Sequence, residues 1–173
     1  MKPDSIQQHQ LWSEDTWSGH YAHFTFYQCY WQDMLFDEAQ FSHCTFYQCH
    51  WHNCAFRNTH WQRVTVYHGD MDATVFEDNQ LHNTTFQNIV WQSVRMINSV
   101  CLGVGFHHIN LRNSGLDLTH CTECLLDHCD METCDVRLQN QNRLTVLPSQ
   151  THPTADPFLS QQQHWEQQHG VSI

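Results

Sequence analysis

Basic residues are scarce in this chain of 173 residues: seven Lys and Arg stand against 18 Asp and Glu, for a formal net charge of −11. A protein that holds nucleic acid directly neutralises phosphates with clustered Lys and Arg. The shortage of both argues against that class. The chain also lacks a run of about 18 apolar residues, so no membrane-spanning helix is expected. Its first residues, MKPDSIQQHQLWSED, contain no apolar core of a signal peptide. A cytoplasmic protein with reduced thiols is the resulting expectation. Missing too are a glycine-rich phosphate loop, a nucleophile elbow and an HExxH pair. The expectation is a protein that is not an enzyme and carries no cofactor.

What is present is a five-residue period. Reading every fifth residue from Tyr21 to Val136 gives only apolar residues, among them Phe26, Trp31, Phe36, Phe41, Phe46, Trp51, Phe56 and Trp61. Two residues before each of these stands a mostly small one, with Cys, Thr, Val, Ser, Ala or Gly predominating. Phe24, Met34, Asn79, Ile89 and Ile109 are the larger exceptions. The stretch Gly19 to Leu138 carries 18 charged residues and none falls on either position. Blind placement would do this with a chance of about 0.6 to the eighteenth power, or roughly one in ten thousand. The period matches neither the 3.6 of a helix nor the 2 of a strand.

A longer period lies on top of it. HFTFYQCYW, from His23 to Trp31, returns as HCTFYQCHW from His43 to Trp51. Four five-residue sides make a square coil of 20, and successive coils can hydrogen-bond as parallel strands about 4.7–4.9 Å apart. Six such coils, residues 19–138, are expected. All nine Cys fall on inward positions, where burial as small apolar side chains accounts for them.

The small–x–large–x–x alternation resembles the pentapeptide repeat family. The resemblance covers about 70% of the chain. It implies an all-β fold, a right-handed quadrilateral parallel β-helix. It also implies function by presenting outer faces to a protein partner. One branch of the family resembles DNA and engages gyrase, and other relatives of similar architecture are thought to act as accessory proteins in bacterial secretion or toxin systems.

The 20-residue offset places the outer side chains. Thr25, Thr45, Thr65 and Thr85 form a ladder beside Tyr27, Tyr47 and Tyr67, with Gln28, Gln48 and His68 alongside. An aromatic strip rimmed by hydrogen-bonding groups is the candidate binding face for a protein of unidentified kind. The alternative is an acidic patch of Asp70, Asp72, Glu77 and Asp78, suited to a DNA-mimicking modulator of gyrase or a related topoisomerase. The coils Ala39–Asn58 and Asn79–Asn98 hold no Asp or Glu, which interrupts that stripe. Histidines point outward in columns, with His108 and His128 in one of them; no dedicated metal site is expected, only incidental binding there.

The ends complete the expectation. Residues 1–18 break the register as an N-terminal cap, with Leu11, Trp12 and Trp17 over the first coil. Residues 139–173 form a C-terminal cap: Leu144, Val146 and Leu147 read as a short strand or edge segment, residues 148–156 as a linker, and 157–169 as a helix. A coil end is also where a homodimer would form, since pairing hides an open core.

Overall fold

The computed structural model describes residues 5–137 and 144–147. Every strand pairing among them is parallel, and the pairing repeats down the chain in the expected steps. His20–Ala22 pairs with Gln40–Ser42, which pairs with His60–Gln62, and the same step continues through Gln80–His82 and Val100–Leu102. The coils stack into a quadrilateral β-helix of about seven turns.

The corners explain why a five-residue unit can close a square. In nearly every unit the second residue after the large apolar one takes a left-handed backbone, with φ near +50° at His23, Gln28, Asp33, Glu38, His43, Gln48 and onward to His128. His, Gln, Asn, Asp and Glu fill most of these positions, with Arg63, Ala73 and Ser93 as the others, and none of the 22 non-glycine residues there is β-branched. A branched Cβ is what this conformation tolerates least. Corner amides are bonded on both sides of the bend. The Gln28 amide donates to the Tyr47 carbonyl at 2.9 Å, and the His50 amide donates to Cys29 at 2.9 Å.

Inward aromatic rings stack coil on coil. Phe26 lies over Phe46 at 4.7 Å, Trp31 over Trp51 at 5.0 Å, and Phe36, Phe56 and Phe76 follow at 4.4 and 4.8 Å. These rings are buried almost completely. Each contributes about 1.5–3 kcal/mol through burial, with ring contacts adding to it.

The small inward site does more than save space. In several coils its side chain donates to the carbonyl of the large residue one coil earlier. Cys44 reaches Tyr21 at 3.2 Å, Cys49 reaches Phe26 at 3.4 Å, Cys54 reaches Trp31 at 3.4 Å and Cys129 reaches Phe106 at 3.2 Å. Ser114 makes the same bond to Trp91, and Asn79 to Phe56. Cys and Ser recur at this site, and Asn79 joins them, each compact and carrying a donor. Asn79 goes further. Its Oδ1 accepts from both the amide and the hydroxyl of Thr59 at 2.8 Å, while that hydroxyl accepts from Trp61 Nε1 at 2.9 Å. An apparent exception in the sequence is therefore the hub of a satisfied buried network.

Eight of the nine Cys are buried and Cys134 is half-buried; none is paired. Burial pushes the thiols of Cys44 and Cys129 up, and those of Cys54 and Cys134 up to about 11.

The N-terminal segment differs from a simple cap. Ser5–Gln8, Leu11–Ser13 and Thr16–Trp17 form three sides of a further coil, stacked at an offset of 19 residues rather than 20. The lost residue is a corner. The side from Trp17 to Tyr21 closes through Gly19 at φ +102°, a conformation open to glycine. Trp12 stacks on Trp31 at 5.2 Å and Trp17 meets Phe36 edge-on at 5.6 Å, so both cover the next coil. At the other end, Leu144–Leu147 pairs in register with Cys124–Asp127 and opens another coil. The expected helix over 157–169 lies outside the described residues. No helix among those described is long and apolar enough to cross a membrane.

Candidate functional site

The expected tyrosine strip needs correcting. Tyr27 is 1% exposed and Tyr47 is 2% exposed. Their rings stack at 5.6 Å, with His9 edge-on to Tyr27 and His68 edge-on to Tyr47. Alternation along a strand gives a side chain's direction but not what its neighbours cover, and here like rings hide each other's faces. Tyr67 is half-buried. Gln28 and Gln48 are half-buried and bonded into an amide ladder, with Gln28 Nε2 donating to Gln48 Oε1 at 2.9 Å.

The open surface lies just past that corner. Tyr30 is 48% exposed and stacks on His50 at 4.5 Å. His50 Nδ1 in turn meets the Asp70 carboxylate, and Val90, 45% exposed, continues the column. With Gln28, Gln48 and His68 these residues border a shallow depression of about 370 Å³. Gly69 also lines it, on the strand Thr65–Asp72. A Cβ at Gly69 would collide with the Cys49 carbonyl, so the close approach of the two coils there requires glycine. The strand runs unbroken through the corner and pairs with Thr85–Gln92 along both faces, which stiffens this side of the rod.

The acidic residues are already engaged. Asp70 faces His50, Asp72 lies 3.1 Å from His52, Glu77 is 3.2 Å from Arg57, and Asp78 accepts from the Asn98 amide. The four carboxylates therefore divide between two faces, each against a donor of a neighbouring coil.

One further cluster lies on the same corner nearer the C-terminal end. His108 and His128 stack at 5.1 Å. The Asp127 carboxylate takes His128 Nδ1 on one oxygen and His107 Nδ1, at 3.0 Å, on the other. The His107 contact, together with His128, holds the Asp127 carboxyl below the usual carboxylate range. The sequence reading singled out His108 and His128 but missed Asp127. The signal was available: the pair His107-His108 lies 20 residues before Asp127-His128, so the two dipeptides sit one above the other.

Comparison with known proteins bears on this geometry. No protein-family model and no curated sequence matches the chain. Among solved structures, a trypsin-treated variant of QnrB1, a plasmid-mediated fluoroquinolone resistance protein, superposes with a TM-score of 0.63 at 11% identity, covering 98% of this chain and 100% of that one. Full-length QnrB1 gives a TM-score of 0.53 at 9% identity, covering 96% and 100%. At such identities the likeness shows the fold.

Proposed function

We propose that this chain, a quadrilateral β-helix of the pentapeptide-repeat type, is a non-enzymatic docking rod that binds a protein partner through one corner. The contact surface is Tyr30, His50, Asp70 and Val90 with Gln28, Gln48 and His68 along its edge. The observation that carries this reading is the exposed Tyr30 ring, held flat against His50 beside a row of hydrogen-bonding side chains. Tyrosine supplies area and a hydroxyl with few rotors to freeze, and a β-helix face loses little freedom on docking. Tyr27 and Tyr47 act in this reading as support beneath the surface.

A second reading has a specific motive. The fold likeness to a fluoroquinolone resistance protein favours a modulator of gyrase or a related topoisomerase, acting by DNA mimicry. Against it stands the pairing of Asp70, Asp72 and Glu77 with His50, His52 and Arg57, which divides the negative field that a decoy would need.

The two readings part in one experiment. A partner recovered by pull-down is titrated against Tyr30→Ser and against Asp70→Asn combined with Asp72→Asn, and gyrase supercoiling is measured beside it. Tyr30→Ser is expected to weaken binding about tenfold or more, roughly 1.4 kcal/mol, with a small change in thermal stability. Loss only in the double variant, with binding that collapses steeply as salt rises, reverses the ranking.

A further inference from the structure

We propose that His108, Asp127 and His128 form a binding site for a divalent transition-metal ion of zinc's class. Among the described residues this is the one place where three potential ligand atoms come within 4.8 Å of one another. Two imidazoles and a carboxylate are a borderline donor set that suits zinc, cobalt or nickel better than calcium or magnesium. His108 is exposed, Asp127 and His128 are half-buried, and the site opens to solvent. Water would complete the coordination sphere.

Three features of the fold build this site. Parallel stacking fixes His108 one coil from His128, and both stand on left-handed corners at φ +51° and +52° whose backbone is bonded to the next coil. His107 then holds the far oxygen of Asp127, the kind of outer-shell contact that aims a metal-ligating carboxylate. The third feature makes room for the second. The ladder Thr25, Thr45, Thr65, Thr85 ends at Gly105. A Cβ at Gly105 would lie 2.6 Å from His107 Nε2. Glycine replaces threonine there and leaves room for the ring that orients Asp127.

Two other places in the same molecule serve as internal controls. His23 and His43 stack at 4.9 Å much as His108 and His128 do, and His50 faces Asp70, yet neither belongs to a three-donor group. A metal at the triad links two successive coils, so its binding also stabilises the C-terminal end of the rod.

The test uses the full chain, freed of metal with a chelator, and titrates it with zinc by calorimetry and with cobalt by visible absorption. One zinc equivalent is expected at the tightest step, with a rise in the thermal midpoint. His128→Asn, His108→Asn and Asp127→Asn should each weaken that step by tenfold or more. Asparagine accepts the left-handed corners of His108 and His128 and is isosteric with Asp127, and circular dichroism confirms that each variant folds. Gly105→Thr should weaken it less, through His107. His43→Asn should leave it unchanged. Equal loss in His43→Asn, binding spread over many weak steps, or no binding by the parent chain would each overturn the proposal.

Discussion

Truncating Asn79 gives the sharpest test of how this rod is held together. The residue is 1% exposed and sits in the small inward site. Asn79→Ala removes the acceptor for the Thr59 amide and hydroxyl and the donor to the Phe56 carbonyl. Thr59 is fully buried, so water does not replace what is lost. A buried donor left without a partner costs about 1–3 kcal/mol. Two such donors, less what local relaxation recovers, give an expected loss of about 2–5 kcal/mol, a large share of a typical folding free energy of about 5–15 kcal/mol. Asn58→Ala is the matched control. It removes the same side chain from an exposed corner, and about 1 kcal/mol or less is expected, chiefly from the left-handed backbone. Urea denaturation followed by circular dichroism measures both. Amide exchange localises the damage, because the Thr59 amide should lose protection first. If Asn79→Ala falls within 1 kcal/mol of the parent, or Thr59 stays as protected as before, the network is not a structural hub.

Other outcomes follow from the same packing. Phe56→Asp should abolish soluble folding by burying a carboxylate against Phe36 and Phe76, whereas Arg63→Asp, at an exposed corner, should melt within a few degrees of the parent. A bulky thiol reagent should modify Cys134 first and leave the eight buried thiols untouched until denaturant is added; early reaction at Cys49 or Cys101 would contradict the burial map. The Asp117 carboxyl is held below its usual value of 3.8 mainly by the Thr119 hydroxyl, 2.7 Å away. A depressed value in the folded state means stability present above pH 3.8 and lost as the pH falls below it. Asp117→Asn should flatten that part of the acid-unfolding curve.

Much of the architecture could be read before any coordinates. The five-residue period assigned the large inward column, and the 20-residue echo between His23–Trp31 and His43–Trp51 set the stacking register. Both are consequences of packing, which a period records directly. What escaped were features that a period averages away. Trp12 and Trp17 keep the spacing of five, but the step from Trp17 to Tyr21 is four, so a coil with one missing corner looked like a broken register. Leu118 occupies a corner position yet turns inward and is fully buried. The burial of Tyr27 and Tyr47 depends on ring-to-ring cover, which a one-dimensional assignment of inside and outside does not contain. Asp127 stands out only when a column and the chain are read together, because His107 lies under it, His128 follows it and His108 lies diagonally from it.

The left-handed corners carry a consequence for how such a surface can change over time. Gln28, Gln48, His68, His108 and His128, the side chains nearest the proposed contacts, all stand on them. These positions make no demand on the core, so they are free to vary, yet they exclude Val, Ile and Thr on backbone grounds alone. The corner side chains that rim the proposed surface are therefore drawn from a restricted alphabet of unbranched letters, one per side, at fixed intervals. A new specificity is spelled by exchanging His for Gln or Asn for Asp at a corner, with the scaffold left as it was.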